Sequence, residues 1–250
     1  MYGIFIIGTA GAGKSLLTSS LFSSLTDKGK DVTLVNLDPG VLKLPYDPDV
    51  DIRDYISIED LMDRFQLGPN GALLMASDLF VDKIPDFNKE LEKQDSEYTL
   101  IDTPGQMELF AFRVCGPLIA QELNIEQKMI LYLLDAPFCT TPFNYVSTIF
   151  LSAAVFLRFT LPQLNILTKT DLIPERKVKE ILDWSSKPET IQSMFNLQPE
   201  GNMYLLSKDI FRAITRLRLD FSQIACSART MHNFLNLHAA IERIFTRGEE

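Results

Sequence analysis

The amino-acid sequence predicts a three-layer α/β fold, with a mainly parallel β-sheet held between helices. Three observations lead there. Short β-rich runs alternate with longer helical patterns along all 250 residues. Several of those runs are apolar almost throughout, as expected of strands covered by helices on both faces. The first run passes directly into a glycine-rich turn and then a helical pattern, which is how a βαβ unit begins. No period recurs and no low-complexity linker divides the chain, so residues 1–250 read as one domain.

The first strand is predicted at Tyr2–Ile7 and the first helix at 14–27. Between them, Gly8-Thr9-Ala10-Gly11-Ala12-Gly13-Lys14-Ser15 matches the phosphate-loop pattern G-x-x-x-x-G-K-[ST] in full, in its strand–turn–helix context. The glycines let the backbone curl so that successive N–H groups face a phosphate. The helix adds its positive end, and Lys14 neutralises the β and γ oxygens of a nucleoside triphosphate. Nucleotide contacts are therefore expected from Gly11, Ala12, Gly13, Lys14, Ser15 and Leu16, with the Ser15 hydroxyl as a Mg²⁺ ligand. The fold expected is that of a P-loop NTPase.

A second strand follows at Val32–Leu37, then helices at 57–65 and 72–83. The acidic run from Asp82 to Glu97 reads as a solvated helix and loop. The third strand, Tyr98–Ile101, ends in Asp102-Thr103-Pro104-Gly105-Gln106. A carboxylate there can hold Mg²⁺ through water, and the Gly105 N–H can sense a γ-phosphate. Gln106 stands where GTP-hydrolysing switch proteins keep a water-orienting glutamine. Asp-x-Pro-Gly is also ordinary turn chemistry, but its register after a phosphate loop favours function.

A helix at 108–122, a strand at Met129–Leu134 and a helix at 144–159 come next. Ile149–Phe159 is the most lipid-like stretch, yet it is about half of the roughly 20 residues a bilayer needs, and Arg158 interrupts it. It reads as a buried core helix. Its aromatics, with Phe138, Phe143 and Tyr145, fit core or dimer packing better than a stacking platform. The strand Leu164–Leu167 leads into Thr168-Lys169-Thr170-Asp171, a [NT]-K-x-D guanine-recognition pattern. Asp171 can accept from the guanine N1 and N2 donors while the Lys169 stem lies across the base; adenine lacks that donor pair. After a helix at 175–183, the polar segment 183–220 reads as an insertion or lid, with a basic run at Arg212, Arg216 and Arg218. A weak strand at Gln223–Cys226 ends in Ser227-Ala228-Arg229, which resembles the motif whose backbone amide meets guanine O6. The last helix is expected at 231–246, with His232 and His238 on it facing solvent or cap contacts.

Twenty-four basic against 33 acidic residues give a formal charge of −9 and a pI near 4.8, which disfavours nucleic acid as a direct ligand. Cys115, Cys139 and Cys226 are few, odd in number and far apart, so neither a disulfide framework nor a structural zinc is expected. A reducing, cytoplasmic setting follows, without a membrane.

One further stretch is Leu67-Gly68-Pro69-Asn70-Gly71, by composition merely a turn. Placed after Leu37-Asp38-Pro39 and Asp51-Ile52-Arg53, and before Asp102–Gln106, it makes the chain closely resemble the GPN-loop GTPases from Tyr2 to about Phe245, and in length their compact archaeal members. Gly40, where an alanine often follows the Asp-Pro pair, and Thr168, where asparagine is usual, depart from the pattern. The resemblance implies a homodimer whose nucleotide sites face the subunit interface, with the Gly68-Pro69-Asn70 loop reaching the partner's site. There the Asn70 amide acts in trans, and Asp38 lies near the γ-phosphate and its attacking water. Eukaryotic relatives are implicated in RNA polymerase assembly, which implies a multi-subunit assembly client.

Phosphoryl transfer to water needs in-line positioning and charge neutralisation more than covalent chemistry. Lys14, Mg²⁺ and the loop amides supply most of the charge, and Gln106 or Asp38 can orient the water. Arg53 and Arg113 are candidate arginine fingers. The expected function is thus a Mg²⁺-dependent GTPase, cycling between GTP and GDP, that switches a protein assembly. A P-loop kinase acting on a nucleotide or polynucleotide end, and a non-catalytic GTP-gated module, are the alternatives.

Overall fold

Seven parallel strands form one sheet in a computed structural model that describes residues 1–187, 190, 209–210 and 223–246. They are β1 (Tyr2–Gly8), β2 (Val32–Asn36), β3 (Val50–Asp51), β4 (Tyr98–Asp102), β5 (Gln127–Asp135), β6 (Gln163–Thr168) and β7 (Gln223–Ala225), in the order β3-β2-β4-β1-β5-β6-β7. Every predicted strand is present within two residues at each end. β3 was not predicted, because two residues carry no readable period.

Both faces of the sheet are covered, as the uninterrupted apolar runs require. Phe5, Ile7, Ile130, Tyr132 and Leu134 join one core. It is closed by α2 (Ile58–Phe65), α3 (Pro69–Phe80), α4 (Ile84–Glu92), α5 (Met107–Ala111), α6 (Cys115–Glu122), α7 (Pro142–Phe159) and α8 (Glu175–Ser186). Ile4, Ile6, Met129, Leu131 and Leu133 join the other, beneath α1 (Lys14–Thr26) and α9 (Phe234–Thr246). The carboxyl ends of β1, β2, β4, β5 and β6 therefore open onto one edge of the molecule, where ligands of such sheets bind.

Several expectations are corrected. α3 begins at Pro69, ahead of the predicted start, with Gly68 as its cap and proline at its first position, so Pro69-Asn70-Gly71 is helix rather than turn. The acidic run does hold a helix, α4, but not a purely solvated one: it buries Ile84, Phe87, Asn88 and Leu91 at helical spacing. The helix expected at 108–122 is two. The guanidinium of Arg158 donates to the carbonyls of Ala111 and Arg113 between them, at 3.4 and 3.0 Å. α7 is long and apolar enough to cross a membrane by composition, but Tyr145, Val146, Ile149 and Ala153 face the core, while Phe150 and Leu157 are exposed.

α9 starts at Phe234, after Met231 and Asn233 with φ of 58° and 65°, so His232 precedes the helix. His238 does not face solvent. It is 3 % exposed, its Nε2 lies 2.8 Å from Ser24 Oγ, and burial pushes its pKa down to about 4. The three cysteines are free and buried. Beyond Ser186 most of the expected lid, Arg212, Arg216 and Arg218 included, lies outside the described residues.

Candidate functional site

The loop after β1 turns through Gly11 and Gly13, whose φ of 75° and 96° are left-handed conformations open to glycine. The turn brings Ala12 and the first residues of α1, Lys14, Ser15 and the half-exposed Leu16, to the sheet's edge. Lys14 is only 6 % exposed, and its ammonium donates to the carbonyls of Gly8, Thr9 and Gly105 at 3.0, 3.3 and 3.1 Å. Burial lowers its pKa, and the nearby carboxylates of Asp102 and Asp38 oppose that shift. Phosphate oxygens would exchange with these carbonyls, replacing neutral acceptors by charged ones.

Asp102 ends β4 and is 1 % exposed. Burial pushes its pKa up to about 6, against the lowering influence of the nearby Ser15 hydroxyl and of the hydrogen bond from Tyr46. Its Oδ2 accepts from Tyr46 at 2.9 Å, while its Oδ1 is buried with no hydrogen-bond partner. An unpartnered carboxylate oxygen beside a hydroxyl is a hard-oxygen donor set, so Ser15 and Asp102 fit Mg²⁺.

Asp38, two residues past β2, bridges to the Asp102 loop. Its Oδ2 accepts from the Gly105 N–H at 2.9 Å and its Oδ1 from the Gly40 N–H at 3.0 Å. The amide expected to sense a γ-phosphate is thus held by a carboxylate from another strand's loop. A Cβ at Gly40 would lie 2.6 Å from Leu73 Cδ2, the movable end of a side chain, so the departure from alanine has no firm steric reason. Asp38, Gly105, Gln106, Leu73 and Ser77 line a cavity of about 210 Å³. At its rim Gln106 Nε2 lies 3.5 Å from Asn70 Oδ1 of the same chain, on the exposed first turn of α3 that Gly68 and Pro69 open.

The expected base-reading end assembles beside the loop. Thr168 is buried, with its hydroxyl 2.9 Å from the Ala12 carbonyl and 3.1 Å from that of Leu134, so threonine fastens the two motifs without an asparagine amide. Lys169 adopts φ 57° and pairs with Asp135 at 2.8 Å. Asp171 Oδ1 accepts from Ser227 Oγ at 2.7 Å, and Ser227 Oγ accepts in turn from the Thr230 N–H. The Ala228 carbonyl is tied to Ser20 of α1 at 2.9 Å. The two candidate fingers are occupied: Arg53 grips both Asp51 oxygens and the Val41 carbonyl, and Arg113 pairs with Asp78 at 2.9 Å.

Sequence reasoning missed Tyr46 and Asp135. Asp135 ends a strand, which is a usable signal; Tyr46 sits in an irregular stretch and belongs to no motif.

Comparison with known proteins places these features in a family. A family model described as a conserved hypothetical ATP binding protein matches residues 6–247. A GPN-loop GTPase of Pyrococcus abyssi is 30% identical over 249 residues, covering 98% of each chain. GPN-loop GTPase 3 of Kluyveromyces lactis is 32% identical over 203 residues, 80% of this chain and 75% of its own. The crystal structure of a Pyrococcus abyssi GTPase in apo form superposes with a TM-score of 0.87 at 28% identity, covering 98% of this chain and 97% of that one.

Proposed function

The chain belongs to the GPN-loop GTPase family, and from that premise we propose that it binds GTP with Mg²⁺ and hydrolyses it to GDP and phosphate as a homodimer. The observation that carries the reading is the Asp171 carboxylate, held by Ser227 and set beside the phosphate loop through Thr168 and Ala12. It favours guanine over the adenine named in the family model's description, because only guanine offers two adjacent donors.

Lys14 and the amides from Gly11 to Leu16 hold the phosphates, and Ser15 with Asp102 hold the metal. When bound, Mg²⁺ neutralises charge on the β and γ oxygens. Asp38 or Gln106 orients a water for in-line attack on the γ-phosphorus; the bond to the GDP oxygen breaks as the new phosphorus–oxygen bond forms. Asn70, exposed at the start of α3, acts on the partner's site, with Gly68 and Pro69 setting its reach. The acidic charge and the three free thiols support a cytoplasmic protein with no membrane or nucleic-acid ligand. The family resemblance supports a nucleotide-driven role in assembling a multi-subunit client such as RNA polymerase.

Phosphate release from GTP and from ATP, measured with and without an acceptor and alongside solution mass, tests the reading. The expected result is acceptor-independent release from GTP by a species near twice 28.3 kDa. Transfer only to an acceptor would make the chain a kinase, and tight GTP binding without release would make it a gating module.

A further inference from the structure

Tyr46 lies in the irregular stretch between β2 and β3 and plays no part in the reaction above. Its phenol donates to Asp102 Oδ2 at 2.9 Å. Asp102 is 1 % exposed, and its other oxygen, Oδ1, is buried without a partner. A carboxylate is free to rotate about its last torsion unless something fixes its plane. Here one oxygen is fixed and the other is left over.

The stretch that carries Tyr46 is itself fastened on both sides. Ser19 of α1 donates to the Pro45 carbonyl at 3.2 Å, and Asp49 accepts from the Leu34 N–H at 2.8 Å. Upstream, Asp38 holds the Gly105 N–H. The ring of Tyr46 packs against the core beneath α1 and α9. The hydroxyl is therefore set by contacts other than those of the Asp102 side chain and the Ser15 hydroxyl.

We propose that Tyr46 is the positioning residue for the metal carboxylate: by holding Oδ2 it leaves Oδ1 as the oxygen that, with the Ser15 hydroxyl, takes a divalent cation. The inference rests on the Mg²⁺-dependent nucleotide binding proposed above. Groups that orient a metal ligand from behind commonly govern metal affinity by about 10–100-fold.

The test measures affinity for a fluorescently labelled GDP across a Mg²⁺ titration and in EDTA. In Tyr46→Phe, which keeps the ring and its packing, affinity in EDTA should stay within about twofold of wild type. The Mg²⁺ concentration giving half-maximal tightening should rise about tenfold. In an Asp102→Ala background the same change should add no further shift, because both carboxylate oxygens are gone. If the phenylalanine variant does not fold by circular dichroism, Tyr46→Met must show the same metal defect. An unchanged Mg²⁺ midpoint, or an equal loss of affinity with and without Mg²⁺, overturns the positioning role alone. A wild-type protein whose affinity ignores Mg²⁺ overturns both this role and the metal-dependent reading beneath it.

Discussion

Ser227 and Asp171 meet through a 2.7 Å hydrogen bond although 56 residues separate them in the chain. Asp171 follows β6 and Ser227 follows β7, neighbouring strands in the sheet, so the fold rather than local sequence makes this contact. The bond occupies one face of the carboxylate and fixes its plane, which is the preorganisation a base-reading group needs. Thr168, at the end of β6, then fastens the same loop to Ala12 of the phosphate loop.

Asp171→Ala should lower GTP affinity about 100-fold, or ~2.7 kcal/mol, while ATP affinity changes less than about twofold. Ser227→Ala should give a smaller loss in the same direction, since the carboxylate stays but its orientation loosens. Isothermal titration with both nucleotides checks this. Equal weakening of GTP and ATP would make Asp171 a structural residue.

Thr168→Val keeps the shape and removes the hydroxyl. Two buried carbonyls, of Ala12 and Leu134, then share no donor from this position. The expected cost is about 1–3 kcal/mol of stability, with the GTP-to-ATP preference unchanged because the base-reading carboxylate is untouched. Thermal melts and paired titrations measure the two quantities. An unchanged Tm would show that the hydroxyl is not what joins the motifs.

The sheet was legible because its strands are apolar on both faces, so even short runs such as Tyr98–Asp102 stand out. The site's placement was legible because each motif follows a strand, and parallel strands end together. What escaped notice depends on partners distant in sequence. Asp86, Asn88, Lys89 and Glu90 make α4 read as solvated, and its buried stripe shows only when every third or fourth residue is read alone. Arg158, read as an interruption of a lipid-like run, reaches from α7 to the last carbonyl of α5 and to that of Arg113 in the break before α6. Nothing local to Tyr46 or Gln106 announces Asp102 or Asn70 beside them.

His238 makes stability pH-dependent. Burial holds its folded-state pKa at about 4, below the usual 6.5. Between those values the unfolded chain binds more protons than the folded one, so stability falls as the pH drops from about 6.5 to about 4. Above 6.5 the imidazole is neutral in both states and contributes no pH dependence. In His238→Gln this component disappears. Its Tm should fall less steeply than that of wild type across the window, by differential scanning calorimetry; parallel curves would refute the assignment.

Asn70 offers two contrasting geometries, and subunit exchange separates them. Within one chain its Oδ1 lies 3.5 Å from Gln106 Nε2, so a purely intrachain role has a concrete basis. The proposed homodimer instead pairs Asn70 of one subunit with Lys14 of the other. Lys14→Ala and Asn70→Ala should each be nearly inactive alone. In a mixed dimer of the two, a trans arrangement leaves one site with both defects and one with neither. Equal amounts exchanging at random make about half the dimers mixed, so about a quarter of wild-type phosphate release should return if the sites act independently. The rescue should also fade on dilution below the dimer dissociation constant, because it depends on assembly. With an intrachain Asn70, no mixed dimer contains an intact site, and activity stays at background. Background activity with subunit exchange demonstrated by mass would therefore reject independent action in trans, and would leave the Gln106 contact or obligatory coupling of the two sites.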